Sequence, residues 1–301
     1  MGRELPLDNK SKKLDAAQIA LLLQAEKVME LAAHVSDPVS DAPQGWKVFM
    51  SSSPDEAKTS GFFARIYERT GPLQAGESKY MVAFRGTDKL SDKKDLSADI
   101  EIGLRFLPHQ YWKALAFVQN ACKENGLKAS ELEFTGDSLG GYLARTVGST
   151  LNVKKIWAFN SPGPTKKIKD CVENLIPGVS SPPGNRLIQV RSSSDLVSRW
   201  GYDEGIIFAI KTVGSPHSLV GLRQGIDAAI SGQSLPPEKK QRLSLSLSSI
   251  YNSLSKRMTQ SRFVNKLIDR LVGQTKGTAP PRNVYGIASL KRSAYMPYPK
   301  I

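Results

Sequence analysis

Five residues, Gly136-Asp137-Ser138-Leu139-Gly140, flank a serine with glycines inside the stretch FTGDSLGGYLAR at 134–145. G-x-S-x-G is the form of a nucleophile elbow. A strand turns abruptly into a helix, small residues keep the turn free of clashes, and the serine is held strained with its Oγ exposed. The helix start also aims amide N–H groups at negative charge developing nearby. The chemistry that suits such a serine is acyl transfer, which needs a base to take its proton and an acid to orient the base.

Three histidines are available: His34, His109 and His217. His34 falls late in a predicted N-terminal helix. His109 falls at the start of another, where a surface or capping role suits it. His217 lies in TVGSPHSLVG, a Gly-Pro loop between a predicted strand and helix, and it follows the serine in the chain. That gives the order nucleophile, acid, histidine. For the acid, Asp195 ends RLIQVRSSSD just past a predicted strand, and Asp203 is the reserve. Asp137 is poorer, because its side chain leaves the elbow in a different direction from Ser138. An oxyanion needs two donors. One is the amide of Leu139, and the other comes from the loop in MVAFRGTD, at Gly86-Thr87, where the Thr87 hydroxyl is a further donor.

The elements that must carry these residues are read from periodicity. Ile19, Leu22, Val28, Leu31 and Ala32 recur at helical spacing and predict an amphipathic helix over 13–35. Strands are expected at 46–50, 61–69, 78–88, 132–136, 154–164, 185–195 and 204–214. Between the first two, 51–60 reads as a turn-rich connection. Helices are expected at 109–126, from the elbow onward, and at 218–232. Strand and helix largely alternate, which is the pattern of an α/β protein with a mostly parallel central sheet and flanking helices.

VAFRGTD, then FTGDSLGGYLA, then WAFNSPGP, then IQVRSSSDLVSRW together resemble the class 3 lipase family of α/β-hydrolases. The likeness covers roughly 78–220. It implies an α/β-hydrolase fold and a serine hydrolase of lipid esters that uses neither metal nor organic cofactor. Carried over residue by residue, Thr87 matches the oxyanion residue, Ser138 the nucleophile, Asp195 the acid and His217 the base. Asp137 stands where that family has histidine. Asn160 stands where glycine is frequent, and is expected to matter little. Ser198 stands where proline is common, which weakens the match around Asp195.

Net charge then bears on the substrate. The chain has 42 Lys and Arg against 28 Asp and Glu, a formal +14. Residues 234–301 hold thirteen of the basic and two of the acidic side chains, so +11 of that charge lies there and +3 in the rest. Leu243, Leu247, Ile250, Leu254 and Met258, then Phe263, Leu267 and Leu271, repeat at helical spacing, with Lys256, Arg257, Arg262, Lys266 and Arg270 on the polar side. The expectation is a catalytic domain at 1–233 and a basic amphipathic extension at 234–301. An anionic phospholipid surface attracts such an extension and a neutral oil droplet does not, which favours phospholipase A-type activity over a triacylglycerol lipase or general carboxylesterase. The rival from another class is a non-catalytic hydrolase scaffold that binds membrane or a partner through its tail. Basic residues without aromatic interleaving do not suggest nucleic acid.

Cys122 and Cys171 form neither a disulfide framework nor a metal cluster. The N-terminal apolar run is short for a secretory signal, no stretch is long and apolar enough to span a bilayer, and Pro6 breaks the myristoylation pattern. A cytoplasmic or peripheral-membrane location is expected. The combination also resembles bacterial lipase effectors exported by dedicated secretion systems.

Overall fold

The structure is a computed structural model, and it describes residues 3–7, 14–37, 40–73, 76–86, 96–164 and 184–231. The chain divides into a unit at Met1–Thr259 and another at Gln260–Ile301, the latter wholly outside the described residues. The whole of the expected basic extension at 234–301, with Lys256, Arg257, Arg262, Lys266 and Arg270, therefore lies outside the described residues.

In chain order the first unit runs β1 (Arg3–Leu7), α1 (Ala16–His34), β2 (Trp46–Ser51), α2 (Pro54–Ser60), β3 (Ala64–Arg69), β4 (Tyr80–Phe84) and α3 (Leu96–Asn125). It continues β5 (Glu133–Asp137), α4 (Leu139–Thr150), β6 (Lys155–Phe159), β7 (Leu187–Ser192), β8 (Ile206–Ile210) and α5 (Leu219–Ser231). The eight strands form one sheet in the order β1-β8-β7-β6-β5-β4-β3-β2. Strands β4 to β8 and β1 run parallel, while β2 and β3 are antiparallel to their neighbours. This is the α/β-hydrolase arrangement, with the elbow at the carboxyl end of a central strand.

Both faces of the sheet are covered, so the central strands are apolar on both sides. In β6, Ile156 and Ala158 join the core under α3 and α4, while Trp157 and Phe159 join the core under α1 and α5. The α1 helix starts at a capping box. The Asp15 carboxylate accepts from the Gln18 amide at 2.8 Å, and the Gln18 side chain accepts from the Asp15 amide at 3.0 Å.

Two expectations need correction, and one strand lies where the sequence reading placed no element. The stretch 51–60 is not only a connection, because it contains α2. Ser53 caps it, Pro54 stands at its first turn, and Gly61 closes it at φ 72°. The helix expected from 109 begins at Leu96, which puts His109 inside α3, exposed, rather than at a helix start. Finally, RELPL at 3–7 is an edge strand, pairing in parallel with β8. Proline at position 6 fits there because an edge strand leaves one side of its backbone without a sheet partner.

Candidate active site

Strand β5 delivers Ser138 directly into α4, and the serine takes φ 53° and ψ −120°, a strained conformation for a side chain with a Cβ. The glycines around it are required by space. A Cβ on Gly136 would stand 2.3 Å from the Gly140 carbonyl carbon, and one on Gly140 would stand 2.1 Å from the Phe84 oxygen. Strand β4 and the first turn of α4 pack that tightly against the elbow. The Ser138 amide donates to the Phe159 carbonyl at 2.9 Å, and its carbonyl accepts from the Tyr142 amide at 3.1 Å. Both ends of the turn are therefore fixed.

His217 reaches the serine from the loop between β8 and α5. Its Nε2 is 2.8 Å from Ser138 Oγ, and its Nδ1 is 3.0 Å from Asp195 Oδ2. Asp195 sits just past β7 and accepts the Val197 amide at 3.1 Å and the Ser198 amide at 3.2 Å. All three side chains are buried or nearly so. Burial opposes a charged His217 ring, but the Asp195 carboxylate, by charge and hydrogen bond, and the charge of Asp137 outweigh it. They hold the imidazole above its usual pKa.

Three parallel strand ends thus bring together the serine, histidine and aspartate singled out in the sequence. The other candidates lie elsewhere. His34 ends α1, with its Nδ1 2.8 Å from the Tyr67 hydroxyl and its Nε2 2.9 Å from the Ser40 carbonyl oxygen. Asp203, the reserve acid, is held by Arg191. Asp137 takes no place in the line that joins Ser138, His217 and Asp195. Leu139 is the first residue of α4, where an amide has no acceptor within the helix. Thr87 lies outside the described residues.

Two residues matter more than their sequence setting indicates. Asn160 was expected to matter little, yet it adopts φ 42°, is fully buried, and its Oδ1 accepts the Ser192 amide at 3.0 Å. It ties the end of β6 to the end of β7, just before Asp195. Ser198, which interrupts the lipase-like pattern, donates both its amide and its hydroxyl to Asp195. A proline there has no amide to give. The signal for Asn160 was its residue type, since asparagine tolerates positive φ.

Residues 27–232 match the family model described as phospholipase-like, the Tle-like phospholipase domain. The chain belongs to that family. As a Tle-like phospholipase domain it is an ester-cleaving lipid hydrolase, a carboxylic ester hydrolase with an α/β-hydrolase fold. No curated protein matches the chain. Among solved structures it is similar to lipase II from Rhizopus niveus, at 14% identity over 62% of this chain and 76% of that one, with a TM-score of 0.38. It is also similar to the extracellular lipase LipA from Serratia marcescens, at 14% identity over 63% and 42% of the two chains, with a TM-score of 0.30. The carboxylesterase EstE1, cloned from a metagenomic library, is 16% identical over 74% of this chain and 100% of that one, with a TM-score of 0.29. The fold of this Tle-like domain rests on its own sheet order and elbow, not on these distant likenesses.

Proposed function

We propose that the chain is a phospholipase A-type acyl hydrolase in which Ser138 is the nucleophile, His217 the base and Asp195 the orienting acid. One observation carries this reading: the unbroken hydrogen-bonded line from Ser138 Oγ through both nitrogens of His217 to Asp195, at 2.8 and 3.0 Å. The class 3 lipase likeness supports the same three residues and adds Thr87 as an oxyanion donor beside the Leu139 amide.

In this mechanism His217 Nε2 takes the Ser138 proton as Oγ adds to the ester carbonyl carbon. The carbonyl electrons move to oxygen, where the Leu139 amide at the start of α4 and Thr87 stabilise them. As the tetrahedral species collapses, the bond to the leaving alcohol breaks and His217 hands that oxygen the proton. Water then repeats the sequence on the acyl-serine and releases the fatty acid. The pair of amides on Asp195 keeps its carboxylate aimed, so that the imidazolium has a fixed partner throughout.

The phospholipid assignment is supported by the family description, and the +11 charge of 234–301 supports an anionic membrane surface as its working place. The same charge supports a peripheral position on such a membrane, and the likeness to exported bacterial lipase effectors offers one route to it.

The test is product analysis on defined phospholipids and triacylglycerols, with Ser138→Ala as control. A fatty acid and a lysophospholipid are expected from wild type, and turnover at least about a thousandfold lower from the variant. Equal turnover by Ser138→Ala overturns the nucleophile. Release of a phosphorylated headgroup overturns the acyl specificity, and preference for triacylglycerol overturns the substrate class.

A further inference from the structure

Arg145 stands in α4 two helical turns after Ser138, on the side of the helix that the serine begins. It interrupts a run of small and apolar residues, and it is buried with them, only 2% exposed. A buried guanidinium is ordinarily paired with a carboxylate. Here the acceptors among the described residues are neutral. Nη1 donates to the Pro162 carbonyl at 3.1 Å and to Gln189 Oε1 at 3.0 Å, and Nη2 donates to the Tyr202 carbonyl at 2.9 Å. Burial lowers the group to about 10 while the charges of Glu204 and Asp203 oppose that, so it stays protonated at neutral pH. Bonds from such a charged donor are the strong ones.

The three acceptors belong to three segments. Pro162 follows β6, Gln189 lies within β7, and Tyr202 lies in the loop after β7 that carries Asp195. The first and last of these are pressed together. The Gly163 amide donates to the Trp200 carbonyl at 2.6 Å, and the Tyr202 amide donates to the Pro164 carbonyl at 3.0 Å. A Cβ on Gly201 would stand 2.1 Å from the Gly163 oxygen. The two arms of Arg145 bracket that junction, one on each segment. Further ties on the loop come from β7 itself. Arg191 holds the Ser198 carbonyl and Asp203, and Gln189 Nε2 donates to the Glu204 carbonyl at 2.5 Å. Arg145 supplies a tie from the helix that carries Ser138.

That tie bears on the chemistry because one imidazole spans the gap from Ser138 to Asp195, with bonds of 2.8 and 3.0 Å at its two nitrogens. A rigid ring keeps both bonds only when the nucleophile's helix and the acid's loop stand at one separation. Resting on the reading that these three residues form the triad, we propose that Arg145 is a positioning residue that fixes this separation by binding the acid loop to the nucleophile's helix. The path to Asp195 is continuous. Tyr202 is followed by Asp203, Arg191 grips Asp203 and the Ser198 carbonyl, and the Ser198 amide donates to Asp195 Oδ2. The bonds of Arg145 go to none of the three triad residues, so it acts on where the loop stands.

Arg145→Met removes both arms and keeps an unbranched side chain. On a soluble ester it is expected to lower kcat roughly 10- to 100-fold, with KM changed less than about twofold. NMR of the histidines in the Ser138→Ala background then reads where Asp195 stands. Burial lowers the proton affinity of His217 and Asp195 raises it, so a loosened acid loop lowers the His217 pKa, by about one unit. Loss of a cation by charge alone raises it, so the sign separates positioning from charge. Arg145→Lys keeps the charge, but one ammonium does not bracket two segments as a guanidinium fork does. It is expected to move kcat and pKa the same way by less, and it serves if Arg145→Met does not fold. An unchanged or raised His217 pKa overturns the proposal, even beside a lower melting temperature, and so does wild-type kcat in Arg145→Lys. Turnover retained by Ser138→Ala overturns the triad reading instead, and the His217 titration still decides whether Arg145 holds Asp195 to the ring.

Discussion

Ser198 holds Asp195 twice, its amide 3.2 Å from Oδ2 and its hydroxyl 3.1 Å from the Asp195 carbonyl oxygen. The carbonyl of Ser198 in turn accepts from Arg191 Nη1 at 3.0 Å, and the same guanidinium grips both carboxylate oxygens of Asp203 at 2.8 and 3.1 Å. Arg191 is almost fully buried. The aspartate that once competed with Asp195 for the acid role is therefore part of the clamp that holds Asp195 in place.

Removing the Ser198 amide while keeping the loop short is expected to loosen that aim. Ser198→Pro should lower kcat about tenfold on a soluble ester, with little change in KM, because a bond to a charged group is lost. Ser198→Ala retains the amide and should lose no more than about threefold. Steady-state kinetics on both variants checks the split. Equal losses would assign the effect to the hydroxyl.

Adding a single methyl group at the elbow tests its packing. Gly136→Ala drives a Cβ into the backbone of Gly140, where no flexible side chain is available to move. A loss of about 3 kcal/mol or more is expected in urea unfolding. Gly71→Ala meets nothing within 4 Å and is expected to change stability by less than about 1 kcal/mol.

The buried carboxyl of Asp137 predicts a pH dependence of stability. Its native pKa is raised to about 7 from the ordinary carboxylate value, with burial the largest cause. The unfolded chain therefore releases this proton at lower pH than the native one, and stability falls as pH rises through that interval. Asp137→Asn should be more stable than wild type at pH 8, by on the order of 2–4 kcal/mol, and the difference should close near pH 4. Thermal melts across that range measure it.

Most of the central alternation was legible because parallel strands buried on both faces read as short apolar runs, as in KIWAF, and helices repeat at their own period. Serine, aspartate and histidine were legible because only one histidine follows Ser138, and the loops they occupy carry glycine and proline signals. What escaped has physical reasons. Seven residues of α2 are too few for periodicity to register, although Ser53, Pro54 and Gly61 marked its ends. RELPL has neither alternation nor an apolar run, and becomes a strand only because β8 offers it an edge. Ser198 acts through its backbone amide, which residue type alone does not reveal, and Asn160 signals only its tolerance of positive φ, not the Ser192 amide it accepts.

The pairing of β1 with β8 has a consequence for how the molecule is made. Strand β1 finds its parallel partner only when Ile206–Ile210 has been synthesised, some two hundred residues later. His217 emerges shortly after that partner, so edge closure and the arrival of the imidazole nearly coincide in translation. Until then the nascent chain carries an elbow with its serine but without the imidazole, and its β8-side edge is still missing. Synthesis itself thus delays assembly of the Ser138–His217–Asp195 line until the sheet that supports it is complete.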